Sequence, residues 1–573
     1  MARLSNRALF FTTSPRTPAK MLPEIRLLHE LFEGRKWDNA AQEEYYERLS
    51  ASDFFEGSHS RGNMAFSARD RINRAPKALG FVELAPAVSL TEAGYEFAYG
   101  KRPQEVFLRQ LLKFQLPSPY HVETAKIAGS FFVRPFLEIM RLVRELEYIT
   151  FAELKIIGLR LVDYRKFGET AEAVMKFRDE ARSGRYRQYS GNAWTDSVKA
   201  IYSDDIIEGR TRTRETDDAS LDRFVMTKKR NMHDYADACF RYLRFTGLVS
   251  IAHRSREISI SREKLPEVDF LLGTVERRPV FIDNEPKFKE HLFSACSPAL
   301  YADNRDNIME ELARIAPHAK REFSAKSVDE LKNLRDGIAE RSKAEAVAEE
   351  TRKIKSFALY SEIMGMYDEI LSGRLYDAPL MLEYNTWRAM TMLDGGEVKG
   401  NFKLDDMGQP LSTAPGNVPD IECDYGEFAL SVELTMQRGQ RQYETEGESV
   451  SRHYGQLKKR IGKDAYCLFI APAINDASLS HFFGLSKINI GYYGGKAQII
   501  PLELCQFMKL LEAAHRGPTR PGPQDVKKLL RGIMDCAEAC ADEREWLAMI
   551  HNCVAGWPGA RSRASSASQR VRS

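Results

Sequence analysis

No stretch of this 573-residue chain approaches the ~18 consecutive apolar residues of a membrane-crossing helix, so none is expected. The longest early apolar run, Ala8-Leu9-Phe10-Phe11, is too short for a signal-peptide core, and a cytoplasmic protein is the expectation. Cysteine is scarce and poorly spaced for chemistry: the eight residues include no Cys-x-x-Cys pair. The helical spacing of Cys536, Cys540 and Cys553 among apolar neighbours favours buried reduced thiols over a zinc site, which leaves metal chemistry to oxygen ligands. Charge of one sign is missing as well. The 84 Lys and Arg against 81 Asp and Glu leave a net charge of +3, which neither requires nor excludes nucleic acid, because binding depends on where the charge sits. No repeat of solenoid or propeller period is found.

What is present is ordinary globular material, 43% hydrophobic and 29% charged, which excludes wholesale disorder and fibrous architecture. At ~150 residues per domain the length suggests roughly three to four domains. Residues 1–125 read as helix, glycine stop, two short strands and helix. A helix from Pro23 stops at Gly34, and a second from Phe66 to Leu79 stops at Gly80. Short strands follow at 81–84 and 88–90, and Thr91-Glu92-Ala93-Gly94 opens a further helix. That order is the order of a winged helix. Residues 126–285 repeat the theme without sequence identity: a long helix ending Arg244-Phe245-Thr246-Gly247, then strands at 248–251 and 258–261 flanking the basic His253-Arg254-Ser255-Arg256. Residues 286–370 alternate charges as an exposed helical linker does. Residues 371–558 bring strand-like runs at 428–435, 465–472 and 497–502 between helices, an α/β unit. A tail at 559–573, Arg among Ser and Ala, reads as basic and disordered.

The chemistry concentrates in Pro419-Asp420-Ile421-Glu422-Cys423-Asp424-Tyr425, Gly426-Glu427 and the run 428–435. Gly-Glu can turn one strand into the next. Alternation sends Phe428, Leu430, Val432 and Leu434 into a core and leaves Glu433 on the opposite face with Ala429, Ser431 and Thr435. An ionised carboxylate on a buried strand is costly without something positive beside it. Asp420, just ahead of the partner strand, can stand next to Glu433. A divalent cation resolves such a pair, and Mg²⁺ prefers oxygen ligands. Pro-Asp followed a dozen residues later by Glu-x-Thr resembles the PD-(D/E)xK nuclease motif, with Thr435 in the lysine's place and Gln442 or Lys458 as possible helpers. Two solvated acids on an ordinary hairpin would give the same spacing.

Several separate blocks then resemble the AlwI/BstNBI-type type IIS restriction and nicking endonucleases of bacteria. They are Ser14-Pro15-Arg16-Thr17-Pro18-Ala19-Lys20, Ala65 to Arg71, Gly80-Phe81-Val82, Arg102 to Leu108 and Arg241 to Leu248. Gly416 to Asp420, Val450-Ser451-Arg452-His453-Tyr454 and Tyr466 to Pro472 continue the series. The charged linker and much of 126–225 match only loosely. The resemblance implies a catalytic set of Glu383, Asp420, Glu433, Glu446 and His453, with Asp420, Glu433 and Glu446 as Mg²⁺ ligands. Local reading alone does not separate Glu446 from Glu444 and Glu448, nor His453 from a histidine packed on Tyr454.

The fold expected is therefore multidomain α+β and α/β: a mainly helical winged-helix DNA-recognition half, a helical linker and a C-terminal PD-(D/E)xK-like α/β nuclease domain. The expected partner is double-stranded DNA, contacted by Arg16, Lys20, Arg69, Arg71 and Lys77, each of which could equally be a surface charge. The implied activity is Mg²⁺-dependent hydrolysis a few base pairs outside a short asymmetric site of the GAGTC or GGATC kind. It would nick one strand as a monomer, or cut both with a transient homodimer or second nuclease subunit, beside a cognate DNA methyltransferase. A winged-helix regulator without catalysis would explain the N-terminal half equally well, and a scaffold built on the charged helices explains only the linker. Neither accounts for Asp420 and Glu433 on one hairpin.

Overall fold

A computed structural model describes residues 2–4, 7–52, 54–55, 63–182, 186–252, 256–317, 323, 325–373, 375–393, 396–405, 408–517 and 520–557. The expected basic tail and the tip residues 253–255 lie outside them. The chain forms two compact units, residues 1–52 with 59–340 and residues 53–58 with 341–573. The division falls inside the stretch read as a linker. Lys332 and Arg335 each bond Glu105 at 2.7 Å, so residues up to 340 pack on the first unit.

The first unit is mainly helical. Its opening helices span Met21–Phe32 and Asn39–Ser50. The helix read as continuous from 66 to 79 is two, Met64–Ile72 and Ala75–Ala78. Pro76 lacks an amide hydrogen, and Arg74 leaves helical geometry at φ −89°, ψ −99° ahead of the short second piece. The Val82–Glu83 and Ser89–Leu90 strands pair antiparallel. Thr91 then caps the Glu92–Tyr99 helix, accepting from the Gly94 amide at 2.9 Å and donating to Gly80 O at 2.6 Å. Further along, the strands Tyr148–Thr150, Glu257–Ile260 and Val249–Ala252 form an antiparallel sheet with Glu257–Ile260 in the middle. The helices Phe151–Ile156 and Leu221–Phe245 lie between its strands in sequence. Lys228, Lys229 and Arg230 sit on that long helix.

The second unit is built on a five-stranded sheet: β1 (Glu397–Gly400), β2 (Ile421–Asp424), β3 (Phe428–Leu434), β4 (Asp464–Ala471) and β5 (Ile499–Glu503). The order is β5-β4-β3-β2-β1, antiparallel from β1 to β3 and parallel from β3 to β5. Sequence reading did not find β1. Leu430, Leu468 and Ile500 meet Met390, Phe507 and Leu530 of the helices Ala378–Leu393 (α1), Leu504–Arg516 and Pro523–Ala539 in one apolar interface. The Gln440–Ile461 helix (α2) makes the crossover from β3 to β4. Cys540 is buried, Cys536 and Cys553 half-buried, and all are free thiols. Among the described residues no helix is long and apolar enough to cross a membrane.

Candidate active site

The β2–β3 hairpin sets the site. Its turn uses Gly426 at φ +79°, a backbone region open to glycine, and Ile421 stands opposite Val432. One step outward brings Asp420 level with Glu433, as the alternation predicts. Asp420 Oδ2 accepts the Leu434 amide at 2.7 Å, which holds its carboxylate against the end of β3. Glu433 is only 6% exposed.

The α2 helix supplies the second wall. Glu446 and His453 are seven residues apart, two helical turns, and so share one face. His453 Nδ1 lies 3.0 Å from Glu433 Oε1. Thr435 Oγ1 donates to Glu446 Oε1 at 2.8 Å, and Thr445 Oγ1 to the same oxygen at 3.2 Å. Glu446 therefore sits on a helix, with its carboxylate aimed by the threonine that stands where the common motif has lysine. From α1 comes Glu383, buried, with Oε2 accepting the Ala414 amide at 2.9 Å. The second oxygen of each of these four carboxylates has no hydrogen-bond partner among the described residues.

Their electrostatics follow from crowding. Burial, and then Asp420, hold the Glu383 carboxyl well above its ordinary range. Burial and Glu433 do the same to Asp420, and burial and Glu446 to Glu433. Glu446 is raised by burial, less its bonds from Thr435 and Thr445. Burial, then Arg452, push His453 down to about 4, so its ring is neutral at pH 7. His453 Nε2 is buried without a hydrogen-bond partner among the described residues. All five residues of the expected catalytic set thus converge.

Arg452 was missed by sequence reading. Its charge bears on both Glu433 and His453, and its guanidinium donates to Asn417, in the turn ahead of Asp420, and to Glu448 at 3.2 Å. The signal was its place directly before His453, but neighbours on a helix point about 100° apart and do not suggest a shared site. Gln442 is no helper: its amide braces Gln437 O, Ala473 O and the Asn475 amide. Lys458 lies over the Tyr454 ring, 5.7 Å from its centre.

The residues expected to touch DNA lie in the first unit. Arg16 pairs with Asp234 at 3.1 Å and Asp237 at 3.3 Å. Arg71 pairs with the buried Glu24. Arg69 donates to Asn39 and Gln42 at 3.1 and 3.0 Å, and Lys77 lies 5.4 Å from the Tyr120 ring centre. Lys20 is half-buried at the end of the Pro18–Lys20 turn. Each is engaged locally.

No curated protein matches the chain significantly. Among solved structures it is similar to the small subunit (R.BspD6I2) of the heterodimeric restriction endonuclease R.BspD6I. The identity is 30%, covering 34% of this chain and 98% of that one, with a TM-score of 0.29. A family profile described as AlwI restriction endonuclease matches residues 77–510, a span holding the hairpin, α1, α2 and much of the first unit. The chain belongs to the AlwI restriction endonuclease family.

Proposed function

We propose that the second unit is the nuclease half of a type IIS-like enzyme, and that the first unit binds a short asymmetric duplex site. The observation that carries this reading is the cluster itself. Asp420 and Glu433 stand side by side across a hairpin, with Glu446 and Glu383 beside them, and the histidine that touches Glu433 is neutral. A buried set of acids without an equal set of cations is stable only when protonated or when it holds a metal.

The donor set fits Mg²⁺. It offers hard carboxylate oxygens whose unpartnered atoms remain open, and Asp420, Glu433 and Glu446 would hold the ion. Among the described residues no three acid, histidine or cysteine side chains form a ready-made cage, so Asp420, Glu433 and Glu446 would have to draw together around the ion, with water and substrate phosphate completing its shell. When bound, it offsets charge on the phosphate and lowers the pKa of a water molecule.

The protein's own groups do the rest. With Glu433 ionised, His453 Nδ1 keeps its proton and donates it to that carboxylate. The lone pair is then on Nε2, where it can accept a proton from an attacking water. Thr435 keeps Glu446 in place, and Arg452 brings the positive charge that a motif lysine would supply. In the first unit, the strand and helix order around Val249–Ala252 and Glu257–Ile260 supports the winged-helix reading. DNA would be held there largely through phosphates, and bases read in the major groove.

The test is cleavage of a site-bearing supercoiled plasmid with Mg²⁺ by wild type and Glu433→Gln. Loss of a metal ligand worth several kcal/mol should slow cleavage by about two orders of magnitude or more. Removing one of four crowded acids should leave the melting temperature unchanged or higher. Full activity in the variant would sink the site assignment. Plasmid left intact by wild type, with the duplex still bound, would favour a regulator.

A further inference from the structure

We propose that Lys155 and Lys229, set against the Trp194 ring in the first unit, form a phosphodiester-binding site that grips the DNA backbone, an inference that rests on the DNA-cleaving function above. Lys155 comes from the Phe151–Ile156 helix, Lys229 from Leu221–Phe245 and Trp194 from Tyr186–Ile201. The Lys155 ammonium is 4.2 Å from the Trp194 ring centre and that of Lys229 is 4.6 Å from it. Two cations therefore share one indole.

Neither lysine has a carboxylate partner among the described residues. Lys229 makes one hydrogen bond, to Thr195 Oγ1 at 3.2 Å, and Lys155 makes none. Elsewhere in the unit Arg178 pairs with Glu153 at 2.8 Å, Arg277 with Glu138 at 2.6 Å and Arg7 with Asp205 at 3.1 Å. The indole Nε1 is also buried without an acceptor. The cluster is thus all donors. Burial, then the charge of Lys229, push the Lys155 ammonium down to about 8, and no acid opposes them. Holding two like charges together costs stability, and such a cost is recovered when an anion arrives. A phosphodiester segment matches a site with several donors and no acceptor of its own.

Lys155→Gln, Lys229→Gln and the double variant separate this role from packing. The readouts are the affinity of the full-length protein for a labelled site-bearing duplex across a salt series, and the melting temperature. Removing one lysine–phosphate interaction should lower the slope of log affinity against log salt by ~0.9. The double variant should show a drop of at least that size, with a melting temperature equal to or above wild type, and Lys155→Arg with Lys229→Arg should restore the slope. An unchanged slope in the double variant, with wild type binding normally, would overturn the proposal. So would a lower melting temperature with unchanged affinity, which would assign the lysines to the fold. Failure of wild type to bind any duplex would instead bring down the functional reading itself.

Discussion

Four carboxyl groups in one pocket must be separated by protons, water or a cation, and protons compete with the cation for the same oxygens. Asp420 and Glu433 are held well above the ordinary carboxylate range. A metal takes only the ionised form, so cleavage should rise with pH as these groups lose protons. Raising Mg²⁺ should move that acid limb to lower pH, and pH–rate profiles at low and high Mg²⁺ check it; an acid limb fixed at every Mg²⁺ concentration would contradict metal ligation by these acids. The linkage to stability has the same origin. Because these carboxyls bind protons more tightly in the folded chain than in the unfolded one, the metal-free protein loses stability as pH rises from their unfolded toward their folded values. His453 acts in the opposite sense over its own window: folding depresses its pKa from 6.5 to about 4, so its contribution is full above 6.5 and is lost as pH falls toward 4. Thr435 offers a finer probe. Thr435→Val keeps the shape but removes the bond to Glu446 Oε1 at 2.8 Å and the acceptor of the Gln437 amide at 3.1 Å. Activity should fall about 10- to 100-fold, with a higher Mg²⁺ requirement, because the hydroxyl orients the carboxylate proposed to hold the metal, and Thr435→Ser should recover most of it. At this scale Asp420 and Glu433 were legible because period-two alternation placed them. Glu446 was not, since three acids within five residues look alike until a helix selects the one that faces Thr435.

Element boundaries explain which parts of the site were hidden. A strand such as Glu397–Gly400 has no apolar alternation; it exists because its backbone pairs with β2, Ile421 opposite Gly400. Nothing local announces that. The break after Ile72 was hidden for the converse reason, since the apolar spacing of 66–79 continues across a proline that the backbone cannot follow. The α2 helix was the least legible element of the site. Its glycines, 447 and 455, argue against a helix, yet it runs 22 residues, from Gln440 to Ile461, because its apolar face packs on the sheet. At Gly455 the helix also runs close against the Gly491–Tyr493 turn. A Cβ there would come within 2.8 Å of Tyr493 Cα and 3.2 Å of Tyr492 O, both backbone atoms that cannot swing aside. Gly455→Ala should therefore push α2 away from the Gly491–Tyr493 turn. On intrinsic propensity alone the change would stabilise an exposed helix by about 1 kcal/mol, so a lower melting temperature together with weaker cleavage would show that the contact governs. A higher melting temperature with full activity would refute the close approach.

The described residues hold one candidate catalytic cluster, for a substrate with two strands. A cluster of this kind hydrolyses one phosphodiester bond at a time, and the two strands run in opposite directions, so a single bound copy acts on one of them. We therefore expect nicking to be the primary event, with an initial rate proportional to protein concentration. Linear product should then arise in one of two ways. If a second copy of the chain cuts the other strand, the rate of linearisation should rise with a higher power of protein concentration and fall when the catalytically dead Glu433→Gln protein is mixed in. If a different subunit makes the second cut, purified protein should leave open circles that persist at every concentration, and cell extract from the source should convert them to linear DNA. Plasmid cleavage followed on agarose gels over a concentration series distinguishes these outcomes. Linear DNA formed at a rate strictly proportional to protein, with no open-circle intermediate, would contradict both. It would mean that one chain cuts both strands in a single encounter, and would require either a second catalytic cluster or a rotation of the one described.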